Sequence, residues 1–318
     1  MRTLLLLLVA LVALTEVHAQ TAWPTRPVRV TLQSPPGGSM DLIARLVQVP
    51  LQEALGQPVV IESRTGSMGI IAHDAVLKAG DGHTLGMIAT GFAALPSLHK
   101  NLPFDTLRDF APIALLVTSP NVIAVNPSLP VQTIPELVAA AKAKPGALTY
   151  GHSGMATGQH IIGEALNLAA DMQVMQVPYR GAGPAMIAAM TGEVNVVWAA
   201  AGGMAQYIQS GKLRPLAVSG GERLALFPGV PTIAEQGYPD FVIEEFFGIV
   251  GPAGMPPDVV RRLNAEINKA VKVPVVAERL QGLGYQIRPL TAEQFRSYIE
   301  TETKKVRAIV EAAKIKVE

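Results

Sequence analysis

Ser34-Pro35-Pro36-Gly37-Gly38-Ser39-Met40-Asp41 is the stretch whose reading decides the fold. Before it, Val28-Arg29-Val30-Thr31-Leu32 is alternating and β-branched, which reads as a strand. After it, Leu42-Ile43-Ala44-Arg45-Leu46-Val47 is apolar at helical spacing. The loop therefore joins a strand end to a helix start. Two prolines stiffen it, and two glycines let the backbone turn and come close to a ligand. Ser39 or Asp41 can cap the helix, and the N–H groups of its first turn make an anion site. No Gly-Lys-Ser/Thr follows, and the spacing fails G-x-G-x-x-G, so this is not a nucleotide loop. Taken alone, it reads equally well as a tight strand–helix turn.

Working outward, Val59-Val60-Ile61-Glu62 is a second strand, followed by Arg64-Thr65-Gly66 and a helix from Ile70 to Ala79. The first helix is expected to reach Leu55 and stop at Gly56, with a kink or early end at Pro50. Thr84 to Ala89 is a buried strand ending at Thr90-Gly91-Phe92. This β-α-β-α-β order is that of a parallel sheet with helices on its faces. Past a proline-broken stretch come strands at Ile113–Val117 and Asn121–Val125, the second of which leaves the first domain.

The opening pattern then recurs. Leu148-Thr149-Tyr150 is a strand, Gly151 to Thr157 a Gly-containing loop, and Gly158 to Ala169 a helix with Thr157 at its cap. A strand at Val174–Val177 leads into Tyr179-Arg180-Gly181, a helix from Pro184 to Met190 and a strand at Val194–Trp198. The spacing from Gly37 to Gly151 matches that from Gly66 to Gly181 to within one residue. Two such lobes facing each other would aim two helix N-termini at one cleft, where a small anion fits. Glu244–Val250 reads as the return crossing, and the long last helix from Ala292 is expected to pack on the first domain.

Composition narrows the classes. The 318 residues suffice for two domains, and a net charge of +1 points to neither nucleic acid nor a membrane surface. With 0 cysteines, disulfides, thiol catalysis and cysteine-based metal sites are excluded. Arg2, the apolar run Leu4–Leu14 and Val17-His18-Ala19 form a secretory signal over residues 1–19, with the mature chain starting at Gln20. The apolar run is well short of the roughly 20 residues that span a bilayer.

Gly151-His152-Ser153-Gly154-Met155 approaches the nucleophile elbow G-x-S-x-G but has Met155 in place of the last glycine. An exported serine hydrolase built on Ser153 with His152 or His160 is thus the rival reading. His73, His83, His99, His152 and His160 form no metal-binding spacing, so neither a metal nor another cofactor is expected. Arg64 and Arg180 follow equivalent strands, and either can meet a carboxylate ligand or a structural partner.

Many ordered motifs together resemble the solute-binding receptors of tripartite tricarboxylate transporters, the Bug-type proteins. They run from Trp23-Pro24-Thr25-Arg26-Pro27-Val28 and Pro35-Pro36-Gly37-Gly38-Ser39 through Leu55-Gly56-Gln57-Pro58-Val59-Val60, Leu102-Pro103-Phe104-Asp105 and Asp109-Phe110-Ala111-Pro112. They continue in Ala141-Lys142-Ala143-Lys144-Pro145-Gly146, Val177-Pro178-Tyr179-Arg180-Gly181, Gly211-Lys212-Leu213-Arg214, Val230-Pro231-Thr232, Pro252-Ala253-Gly254 and Arg262-Leu263-Asn264-Ala265-Glu266. The resemblance implies a periplasmic, monomeric, non-enzymatic receptor with the two-domain, type II-like α/β fold of periplasmic binding proteins. Each domain would be a mixed, mainly parallel sheet flanked by helices. The expected division is residues 20–121 with 247–318, and 122–246. Such a receptor closes on a small mono- or dicarboxylate, aromatic bodies included, and touches its transporter's membrane subunits transiently. A sensor input that binds the same ligand without transport is the third reading.

The resemblance carries ligand contacts onto Gly37, Gly38, Ser39, Met40 and Asp41, and onto His152, Ser153, Ala156, Thr157 and His160. Positions at strand ends add Thr90, Phe92, Tyr179, Trp198 and Ala199. The family often has Phe-Asp-Asn where this chain has Trp198-Ala199-Ala200. The cleft is therefore expected to lack an acid, and its ligand to lack an amine.

Overall fold

The structure, a computed structural model, describes residues 23–316; the expected signal at residues 1–19 lies outside them. The elements are β1 (Val28–Leu32), α1 (Ser39–Leu55), β2 (Val59–Ser63), α2 (Ile70–Ala79), β3 (Thr84–Ala89), α3 (Thr90–Leu98) and β4 (Phe110–Val125). There follow α4 (Ile134–Ala143), β5 (Thr149–His152), α5 (Gly158–Ala169), β6 (Met175–Pro178), α6 (Ala182–Thr191), β7 (Val196–Ala200), α7 (Ala201–Gln209) and β8 (Arg214–Val218). The chain closes with β9 (Glu244–Pro252), α8 (Pro257–Ala270), α9 (Pro274–Gly282) and α10 (Ala292–Ala312).

The fold is a mixed α/β architecture of two lobes. The strands run β2-β1-β3-β9-β4-β7-β5-β6, with β8 also on β4. In the first lobe β1 pairs in parallel with β2 and β3, and in the second β5 pairs in parallel with β6 and β7. β9 and β4 run antiparallel between them. β4 is the shared strand: Phe110–Pro120 pair with β9, and Asn121–Val125 pair with β7 and β8. Pairing with β9 therefore ends at Pro120, and from Asn121 the strand pairs with β7 and, from Val122, with β8.

The breaks expected at proline do not occur here. The prolines of the middle stretch were expected to break it, yet β4 is a single buried strand containing Pro112 and Pro120. Register shifts at Pro112/Ala114 and Leu115/Val117 absorb the irregularity, and bulges are where sheets tolerate proline. Likewise α1 passes through Pro50 without interruption and ends on Gly56, whose φ of 67° and N–H to Gln52 O close the last turn. Leu51 and Leu55 beyond the proline are buried in the first lobe's core, which holds the helix together across the lost hydrogen bond. The helix α3, with Pro96 inside it, was not expected at all.

One apolar layer lies between α1, α8 and α9 and the first lobe's strands. A second lies under α6 and α7. The third joins α2 and α3 to α4 and α5 through Phe92, Phe110, Trp198 and the buried side of α10. The last helix therefore does more than pack on the first lobe: it contacts α3, β4 and also α5 of the second lobe. Its start is fixed by Thr291 Oγ1, which accepts from Gln294 N, and by Gln294 Oε1, which accepts from Thr291 N. Among the described residues no helix is long and apolar enough to cross a membrane.

Candidate ligand cleft

A cavity of about 760 Å³ lies where the carboxyl ends of the parallel strands of both lobes meet. That volume suits a small molecule. A smaller hollow of about 400 Å³, between the segment after α3 and the last helix, lies away from the Gly loops.

The first loop supplies Gln33 to Met40. Its positive φ is at Gly37, 84°, whereas Gly38 is extended at φ −79° and forms the N-cap of α1. Neither Ser39 nor Asp41 caps from the N-cap position. Asp41 instead reaches back, and its Oδ2 accepts from Gly37 N at 3.0 Å. Arg45 Nε donates to both its oxygens at 2.9 and 3.0 Å. Those bonds, Arg45 first and Gly37 second, hold the Asp41 carboxyl below its usual range. Asp41 is buried outside the cavity lining, and it consumes the Gly37 N–H. What α1 leaves toward the cavity is the start of its first turn at Ser39 and Met40, whose N–H groups have no intrahelical partner.

The second loop supplies Ser153 and the run Met155 to Gln159. Ala156 has φ 56°, and its N–H donates to His160 Nδ1 at 3.0 Å. His160 stacks on His152 with ring centroids 4.4 Å apart and planes 10° apart. His152 is fully buried, with Nδ1 2.8 Å from Gly154 O and Nε2 2.7 Å from Gln176 Oε1. Burial lowers the pKa of both rings, that of His160 to about 3, so both are neutral. Both histidines support the loop from behind and stay outside the lining. Among the described residues Ser153 has neither as a hydrogen-bond partner, so no nucleophile–base pair is assembled. Thr157 Oγ1 donates to Gly154 O at 2.8 Å, so it braces the loop and does not cap α5.

The cavity thus gathers Gly37, Gly38, Ser39, Met40, Ser153, Ala156 and Thr157 from the expected set. The rest lie elsewhere. Thr90 is buried, and its Oγ1 accepts from Phe246 N at 3.1 Å, tying α3 to β9. Phe92 packs in an aromatic cluster with His73 and Phe110, centroids 4.9 and 5.4 Å away. Trp198 and Ala199 alternate into two different core layers on either face of β7. Tyr179 turns to Glu193, its hydroxyl donating at 2.8 Å.

Several lining residues were not on the expected list. Met68, Met155 and Phe247 add apolar surface beside Met40. Met68 sits in a short turn where Gly66, Ser67, Met68 and Gly69 all have positive φ. Gly69 leaves room for the Gln33 side chain, whose Oε1 lies 2.8 Å from His73 Nε2. The two candidate arginines separate: Arg64 pairs with Glu62 at 3.3 Å, whereas Arg180 lines the cavity with no ion-pair partner among the described residues. The cavity also has an acid. Glu245, the second residue of β9, faces it, and Asn121 Nδ2 donates to its Oε2 at 3.2 Å. Burial pushes its carboxyl up to about 7. The acid-free cleft expected from Trp198-Ala199-Ala200 is therefore corrected: those residues do not face the cavity, and a carboxylate arrives from another strand.

Comparison with known proteins agrees with this geometry. A family model described as the tripartite tricarboxylate transporter family receptor matches residues 43–315. Protein BugT of Bordetella pertussis (strain Tohama I) is 34% identical over 292 residues, 91% of this chain and 89% of that one. The solved structure of R. palustris Rpa4515 with adipate superposes with a TM-score of 0.83 at 28% identity, covering 92% of this chain and 99% of that one. MatC from Rhodopseudomonas palustris, with bound malate, superposes with a TM-score of 0.81 at 28% identity, covering 91% and 100%.

Proposed function

The chain belongs to the tripartite tricarboxylate transporter receptor family, and from that premise we propose that it captures a small organic carboxylate in this cavity for a transporter of that type. Receptors of this family are periplasmic and work with membrane subunits. We propose the same route here, with export by a signal cleaved near Ala19 and a monomeric receptor that meets the membrane subunits transiently. The observation that carries the reading is a single cavity rimmed by the starts of α1, α5 and α6, with the unpaired Arg180 beside them. Each helix start carries partial positive charge and free N–H groups, so an anion is held without a metal or a cofactor.

One carboxylate of the ligand meets the first turns of α1 and α5, with Gly38, Ser39 and Thr157 around it. Arg180 meets a second anionic group if the ligand has one. Met40, Met68, Met155 and Phe247 cover the carbon body, whether aliphatic or aromatic. The lobes, residues 20–121 with 247–318 and residues 122–246, close on the ligand by bending at Pro120–Asn121 and at the start of β9. Across the cavity the start of α3 and the second loop already come close, since a Cβ on Gly91 would lie 3.3 Å from Ala156 O.

Calorimetry with succinate, adipate and benzoate tests this. At least one acid is expected to bind saturably at one site per chain and to raise the melting temperature. Arg180→Ala should weaken the dicarboxylates by about tenfold and benzoate little, in line with loss of one charge-assisted contact. No binding by any of the three, and no thermal shift, would overturn the reading. Uptake of the bound acid in a deletion strain separates transport from sensing.

A further inference from the structure

Resting on the receptor reading, we infer that Glu245 determines which carboxylic acid the cavity accepts, by taking a hydrogen bond from a donor on the ligand, an ammonium or a hydroxyl. The helix starts hold the ligand's own carboxylate, and Glu245 reads what is attached next to it.

The position of Glu245 is built, not incidental. β9 alternates, so Glu244 turns away from the cavity and pairs with Arg288 at 3.4 Å, while Glu245 turns into it. Glu245 stands at the crossing between the lobes, opposite Ser119 on β4, and Asn121 two residues further along β4 fixes Oε2. Its side chain lies against Gly158, the first residue of α5. A Cβ on Gly158 would overlap Glu245 Cγ and stand 2.7 Å from Cδ. Glycine at that helix start is what lets a carboxylate enter there.

The site is short of donors. Glu245 has no cation within ion-pair distance among the described residues, and its Oε1 takes no hydrogen bond from them. Asn121 Oδ1, fully buried beside it, is also without a partner. Of these two acceptors only Glu245 lines the cavity, and it is completed by a ligand that brings N–H or O–H groups, whereas a bare second carboxylate at this place would be repelled. The surrounding charges do not supply the missing donor. Asp41 is paired with Arg45, His152 and His160 are neutral and turned behind their loop, and Arg180 lines the same cavity without pairing to Glu245. Tyr285, whose hydroxyl burial holds up to about 12, is neutral and senses the Glu245 charge. The raised carboxyl of Glu245 agrees with a half-buried group that lacks a cation or a second donor.

The test is calorimetry on the mature chain with the matched series succinate, malate and aspartate, and with adipate against 2-aminoadipate, at pH 6 and pH 8. The expected result is at least a tenfold preference at pH 8 for the member carrying the donor. Affinity for the amino acid should rise about tenfold from pH 6 to pH 8, because Glu245 must lose its proton to receive an ammonium. Glu245→Gln keeps an acceptor for Asn121 and nearly the same volume. It should abolish both the preference and the pH dependence while succinate or adipate still binds. The inference is overturned if the unsubstituted acid binds best, if affinity for the amino acid falls with rising pH, or if Glu245→Gln leaves the ratio unchanged. If none of these acids binds wild type at either pH, the receptor reading falls with it; binding without preference removes this inference alone.

Discussion

The two Gly loops solve one local problem with opposite chemistry. Each has a residue at positive φ ahead of its helix, Gly37 at 84° and Ala156 at 56°. Each donates that residue's N–H to a side chain four positions on, Asp41 or His160. In the first lobe the acceptor is a carboxylate neutralised by Arg45, on a helix whose start is otherwise open. In the second it is a neutral imidazole stacked on another, on a helix whose first residue lies under Glu245. The first loop is electrostatically complete and stands near solvent. The second is half-buried, with Ala156 and two supporting histidines buried beneath it, depends on those histidines remaining uncharged, and keeps its charge in a residue from another strand. On the proposed reading, backbone capture is common to both lobes and discrimination is concentrated in the second.

The sharpest way to break this comparison is to remove each acceptor. His160→Ala leaves the buried Ala156 N–H unpaired and opens a void beneath the loop. Together these should cost about 3 kcal/mol in urea unfolding. Asp41→Ala should cost only about 1 kcal/mol, since Gly37 is exposed and water replaces the lost acceptor. Equal losses would mean that burial is not what separates the loops.

Acid offers a second test. His160 titrates at about 3 in the fold, and so does His73 in the first lobe; both are pushed down chiefly by burial. In the unfolded chain each protonates near 6.5. The stability they support is complete above pH 6.5 and lost progressively as pH falls toward 3, by about 2 kcal/mol each between pH 7 and pH 5. Asp41 is shifted in the same direction from a lower starting value, so its contribution persists down to about pH 4 and is lost only below that. His160→Gln, which retains an acceptor for Ala156, should therefore reduce the loss between pH 7 and pH 5 by about 2 kcal/mol. An unchanged slope would show that the second loop does not rely on a neutral ring.

How much of this was legible in the sequence follows from the same contrast. Both loops were readable because their signals are local: Gly and Pro between a β-branched run and a helical period. Membership of the cleft for Gly37–Met40 and for Ser153, Ala156 and Thr157 follows from that order. Glu245 was not readable, because an antiparallel pairing of β9 with β4 brings it beside a loop some ninety residues earlier in the chain. The sequence marks Glu244–Val250 as the return crossing but not its partner or which side chain faces the cleft, and at β7 alternation sends Trp198 and Ala199 into core layers. Asp41, His152 and His160 lie in the expected loops but hydrogen-bond to the loop backbone, and position along the chain does not tell whether a polar side chain faces a ligand or its own backbone. The helix α3 was hidden by Pro96 and an apolar surface all round.

The smallest expected effect comes from exchanging the residues at positive φ. Gly37→Ala puts a Cβ at φ 84° where nothing lies within 4 Å, so it gains no packing. Strain of roughly 1–2 kcal/mol is partly offset by the stiffer unfolded chain, leaving a loss of about 1 kcal/mol. Ala156→Gly relieves the same strain, yet the Ala156 methyl is buried in the core layer shared by both lobes. Losing it costs about 0.8 kcal/mol, and glycine adds unfolded-state entropy worth roughly 0.5–1 kcal/mol. The terms cancel to within about 0.5 kcal/mol. Alanine at this left-handed position is therefore explained by the packing of its methyl, with no need for a ligand contact. A thermal melt of Ala156→Gly should lie close to wild type, and its ligand affinity should be unchanged. A stabilisation above about 1 kcal/mol would mean that the methyl contributes little to the core and that the strain is retained for binding.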